Sequence, residues 1–144
     1  MKKEKGFSLI ELLIVVAVIG IIAAIAVPNL VKSKAVANEG AAISAVRSVV
    51  TAQVTYSAKG GSGSFAADLT ELQAANLIDS VLGSGTLDAY SLSVSGSGTG
   101  FTVNARPLVY GTTGTRSFYS DESAVIRYTT ADAAATSSDS GLGE

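Results

Sequence analysis

Residues 7–27 form an apolar run that carries one charge, Glu11. A run of about 20 such residues suits a helix that crosses a bilayer. An acid in the middle of a membrane costs about 2.5–3.5 kcal/mol on insertion scales. Its presence therefore predicts a partner for the carboxylate. Lys2, Lys3 and Lys5, with Glu4 among them, precede the run and read as charges left on the inner side of a membrane. A secretory signal peptide has a shorter apolar core, of about 7–15 residues, and a small-residue cut site after it. A plain single-pass anchor accounts for the lysines. It does not account for Glu11, or for the helical pattern that continues beyond Pro28.

That pattern runs from residue 29 to about residue 58, interrupted only by Gly40. Val36, Ile43 and Val50 recur every seventh residue. Ala42, Val46, Val49, Gln53 and Val54 fill adjacent places, and Lys32, Lys34, Glu39 and Arg47 supply the polar remainder. This is the spacing of a helix with one buried face. A single helix over residues 7–58 would be about 78 Å long. Its first half could lie in a membrane and its second half outside. Pro28 removes the backbone bond to the Ala24 carbonyl and predicts a kink. Gly20, Ala23, Ala24 and Ala26 would let helices approach closely.

Three glycines, Gly60, Gly61 and Gly63, end the helix. No Walker lysine follows them, so a phosphate-cradling loop is a poor reading. Residues 68–78 read as a short amphipathic helix, with Asp68 and Glu71 at capping-box spacing, Leu69, Leu72 and Ile78 inward, and Asn76 near its end. Residues 90–94 and 101–105 alternate apolar and polar across a Gly-rich turn, and residues 117–120 and 124–128 read as two more strands. The fold class is α+β: a long N-terminal helix, kinked near Pro28, covering a small antiparallel sheet of three to four strands. The expected organisation is a leader over 1–6, an apolar assembly helix over 7–28, a head over 29–130 and a flexible tail over 131–144.

The chain has no His and no Cys. That leaves no Ser–His or Cys–His pair and no common zinc site, so no enzyme activity is expected. A formal charge of −2 gives no reason to expect nucleic-acid binding. Asp121 and Glu122 are neighbours in an expected turn and read best as solvated charges, with a weak alternative as calcium ligands. No other cofactor or metal is expected.

Gly6-Phe7-Ser8-Leu9-Ile10-Glu11, followed by the apolar run and Pro28, resembles the processing site of type IV pilins and of the related type II secretion pseudopilins. The resemblance is strong to about Tyr56 and weak beyond it. It implies that a prepilin peptidase cuts after Gly6 and methylates the new amine of Phe7. Removing three lysines and one glutamate would take the formal charge from −2 to −4. It also implies a pilin-like fold, loss of helix between Gly20 and Pro28 on assembly, and Glu11 as the charge that receives a neighbour's amine. The partners implied are copies of the chain itself, the peptidase, the membrane before assembly and the inner-membrane assembly machinery. The localisation implied is the inner membrane as precursor, then an extracellular filament. The absent disulfide departs from many major pilins. A pseudopilin of a periplasmic secretion piston is the alternative, and a membrane-anchored binding domain is the alternative from another class. Major pseudopilins bind calcium in a C-terminal loop, but their ligand pattern finds no match here.

Overall fold

The computed structural model describes residues 6–60 and 62–143. The first helix, α1, spans Leu9–Lys59, and its helical assignment passes through both Gly20 and Pro28 without a break. The chain divides into two compact units, Met1–Ser33 and Lys34–Glu144. In the described part of the first unit every side chain is exposed, from Phe7 at 88% to Val31 at 43%. An 18-residue window there has a mean hydropathy of 3.0. A helix that is apolar all round and covered by nothing is made for a non-aqueous neighbour.

The second unit is the α+β head. The sequence places two short helices, α2 (Leu69–Ala74) and α3 (Ser80–Gly83), ahead of five strands. These are β1 (Thr86–Leu87), β2 (Tyr90–Ser97), β3 (Gly100–Pro107), β4 (Ser117–Asp121) and β5 (Arg127–Thr129). The strands form one antiparallel sheet in the order β1-β2-β3-β4-β5. The alternation read in the sequence sends Tyr90, Leu92, Phe101, Val103, Ala105 and Phe118 to the buried face. The head part of α1 joins them in one core through Ala42, Ala45, Val46, Val49, Val50 and Ala52. The expectation of three to four strands missed β1, which is only two residues long. The strand expected over 124–128 begins only at Arg127, because Ala124 turns with a φ of 59°.

The buried seam of α1 overlaps the expected one and departs from it at its edges. Ala35, Glu39, Ala42, Val46, Val49 and Gln53 are buried at alternating steps of four and three, whereas Val36 and Val54 are 67% and 54% exposed. Ala42, Val46, Val49, Val50 and Gln53 are buried as expected, and the seam continues toward the N-terminus through Glu39 and Ala35 instead of Val36. α2 is capped as its sequence predicts: the Asp68 carboxylate accepts the Glu71 amide at 2.9 Å. Asn76 closes it with a φ of 57°, and the Leu77 amide reaches back to the Leu72 carbonyl at 3.0 Å.

The C-terminal stretch, expected from composition to be a flexible tail, lies along β5 over its described residues. The Tyr128 amide donates to the Ser140 carbonyl, and the Leu142 amide to Ile126. Ala135 is buried, and Leu142 packs against the core. An edge strand left bare would present unpaired backbone groups. Here the stretch covers them.

Candidate functional site

Gly6 and Phe7 precede the first residue of α1 and are exposed. Residues 1–5 of the expected leader lie outside the described residues. Ser8 is the N-cap: its carbonyl accepts the Leu12 amide at 3.3 Å. Glu11 is then the third helical residue, and its Oε2 accepts the Ser8 amide at 2.9 Å. Ser8-Leu9-Ile10-Glu11 is thus a capping box, with the acid's half of it formed. The negative charge also sits where the helix dipole is positive. The predicted partner of Glu11 is therefore, within one chain, its own helix start. Sequence reasoning missed this, although the Ser-x-x-Glu spacing was there to be read.

Gly20 has nothing close to it on which a side chain could rest. Pro28 lies inside α1 and has no amide to give the Ala24 carbonyl. Gly6, Phe7, Glu11, Gly20 and Pro28 all fall in the exposed first unit.

Asp121 and Glu122 lie at the end of β4. The Asp121 carboxylate accepts the Ser123 amide at 3.0 Å, the Ser123 hydroxyl and the Tyr119 hydroxyl at 3.3 Å. Partial burial pushes its pKa up, but these donors, Ser123 first, outweigh burial and hold the carboxyl below its ordinary value. The local turn thus occupies Asp121, while Glu122 points its carboxylate toward Gly100. Among the described residues no three metal-ligating side chains gather.

Three polar side chains on α1 hold loops in ways the sequence reading did not foresee, although it placed Gln53 on the buried face. Glu39, 4% exposed, was assigned to the solvated face. Its Oε2 meets the Arg116 Nε at 2.9 Å, and its Oε1 accepts the Thr115 amide at 2.8 Å and hydroxyl at 2.9 Å. Burial raises its pKa most, but the Thr115 amide, the Arg116 guanidinium and the Thr115 hydroxyl together hold the carboxyl below its ordinary value. Asn38 donates to the Thr113 carbonyl at 2.9 Å. Gln53, fully buried, donates to the Ala66 carbonyl at 2.9 Å and accepts the Ala66 amide at 2.8 Å. These clamps fix the loops before α2 and β4 onto the helix. The signal that would have found Glu39 is its place on the four-three seam, where Gln53 already reads as inward.

Residues 1–27 match the family model of the prokaryotic N-terminal methylation motif. The chain is 46% identical over 54 residues to the type IV major pilin protein PilA of Myxococcus xanthus, which is 38% of this chain and 24% of that protein. It is 43% identical over 56 residues to the type IV wide pilus major component PilA4 of Thermus thermophilus, 39% of this chain and 43% of that one. A fimbrial protein of Pseudomonas aeruginosa is 72% identical over 29 residues, 20% of this chain and 19% of that protein. The chain thus spans less than half the length of these relatives. No solved structure matches it. In its N-terminal segment the chain is similar to type IV pilins: a methylation motif opens an exposed apolar helix whose later part packs into an α+β domain.

Proposed function

We propose that the chain is the structural subunit of a type IV pilus filament. The observation that carries this reading is the exposed apolar first unit with one acid, Glu11, held beside its starting residue. The precursor sits in the inner membrane with residues 1–6 inside. A prepilin peptidase cuts after Gly6, and the freed amine belongs to Phe7.

That amine becomes a cation beside which Glu11 of another copy can settle. In the lone subunit the Glu11 carboxylate is engaged by a neutral amide, Ser8. Exchanging an amide for a charged amine strengthens the bond. Desolvation offsets much of that gain, so the pair serves register more than strength. Cohesion comes from the apolar side chains of residues 7–27, with Gly20, Ala23, Ala24 and Ala26 allowing close packing. Pro28 and Gly20 bracket the stretch where α1 can give up helix on assembly. The finished filament is extracellular and its role structural rather than catalytic. The pseudopilin alternative draws no support from the relatives, whose names are those of pilus components.

The test is the fate of Glu11→Ala in the cells that make the chain. The subunit should accumulate in the membrane, cut and intact, while sheared surface fibres disappear. Normal fibres from that variant would contradict the role given to Glu11. Absence of fibres from the unaltered chain, in cells that secrete through it, would contradict the pilus reading.

A further inference from the structure

Two adjoining grooves of about 400 and 290 Å³ run along the head part of α1 and share Ser44 and Ser48. One wall is a row of half-buried leucines, Leu77, Leu82 and Leu87. The other is α1 itself. There Ser48 and Thr51 donate to carbonyls one turn back, at 3.1 and 3.0 Å. Those hydroxyls are engaged with their own helix, so this wall is less polar than its residue names suggest. The exceptions are the Ser44 hydroxyl and Arg47, which lines the larger groove and has no acid paired with it among the described residues.

The acids of the described head can be sorted the same way. Glu39 and Asp132 pair with arginines. Asp68 and Asp79 cap α2 and α3. Glu71, Asp121 and Asp139 accept local hydrogen bonds. Only Asp88 and Glu122 are left without a partner. Asp88 follows Leu87 of β1, on the same side of the sheet as the trough. Glu122 lies after β4, on the β4–β5 side of the sheet, whereas the leucine row lies on the β1 side. Three residues beyond Glu122, Val125 is 42% exposed. The turn therefore carries an acid without an ion-pair partner, its carboxylate beside Gly100, and three residues on an exposed apolar group, while the trough presents a free base beside an apolar row.

A chain that repeats by a screw operation must join two different patches, head to tail. We propose that the Glu122–Val125 turn of one copy seats in the Arg47 trough of the next, Glu122 facing Arg47 and Val125 facing the leucines. This rests on the filament reading above. The contact is exposed, so its charge pair sets orientation and register more than strength.

The chain has no cysteine, so disulfide trapping has no background. Filaments sheared from cells making the doubly substituted chain, Arg47→Cys with Glu122→Cys, should on oxidation give a ladder of linked subunits on a non-reducing gel. Either single cysteine should give no ladder. Monomer alone from intact filaments of the double variant would overturn the pairing. Arg47→Glu and Glu122→Arg should each reduce filament recovery, and the two together should restore it. Recovery from the combination no better than from the weaker single variant would also overturn it. Filaments from the unaltered chain are the control: their absence would remove the filament reading, and the pairing with it, whereas their presence without a ladder removes the pairing alone.

Discussion

Glu39 on α1 and Arg116, one residue before β4, meet at 2.9 Å with the carboxylate buried and the guanidinium about one-third exposed. The same guanidinium lies 5.6 Å from the Phe118 ring centre and 5.4 Å from that of Tyr128. One buried acid thus fixes the loop that leads into the fourth strand. Tyr90 reaches the same place, donating its hydroxyl to the Arg116 carbonyl at 2.8 Å. Gly114 leaves room for that hydroxyl, because a Cβ there would overlap it.

Replacing Glu39 with alanine leaves Arg116 and the Thr115 amide without their partner. Breaking a buried pair from one side costs about 3–5 kcal/mol, and the exposure of Arg116 lowers this to roughly 2 kcal/mol. Thermal unfolding of the detergent-solubilised chain, followed by circular dichroism, should show a clearly lower Tm. An unchanged Tm would remove Glu39 as a clamp.

The same group gives the head an acid sensitivity. Its folded pKa lies below its ordinary value of 4.5, so near that pH the unfolded chain binds more protons. Its contribution is fully present above about pH 4.5 and is lost as pH falls through the lower, folded value. Asp121 acts in the same direction. Stability measured between neutral pH and pH 3 should fall on the acid side, and less steeply for Glu39→Gln. Equal slopes for the two chains would contradict this.

Gln53→Ala strips both Ala66 backbone groups of their buried partners. Each unsatisfied group costs about 1–3 kcal/mol, so a loss of roughly 3 kcal/mol is expected. Hydrogen exchange at the Ala66 amide should rise well before the head unfolds as a whole. Unaltered protection there would show that the clamp does not hold the loop.

Deleting residues 139–144 uncovers β5 and removes Leu142 from the core. The shortened chain should unfold at lower temperature and self-associate through the bared edge, as read by light scattering in detergent. A shortened chain that stays as dispersed and as stable as the full one would refute the edge-covering role.

Much of this was legible in the sequence. The apolar run, the helix to Lys59, the Asp68 cap and the alternation of β2 and β3 follow local rules that a chain states openly. Glu39 was not legible as a core residue, because its burial depends on a partner 77 residues away in sequence. Gln53 was legible on the buried face, but its bonds to Ala66, 13 residues on, were not. β1 was too short to show a period, and its pairing comes from the turn that follows it. The seating of residues 140–142 rests on backbone bonds to β5, which composition does not reveal. Glu11 was legible as an acid that needs a partner, and its Ser8 contact follows from the Ser-x-x-Glu spacing at a helix start.

The intact mass of the subunit recovered from sheared surface fibres decides whether the chain is cut after Gly6 and assembled. A filament subunit should begin at Phe7 with one methyl group on its amine and lack residues 1–6. A subunit that still carries Met1 and its lysines, found only as single molecules in the membrane, would contradict this.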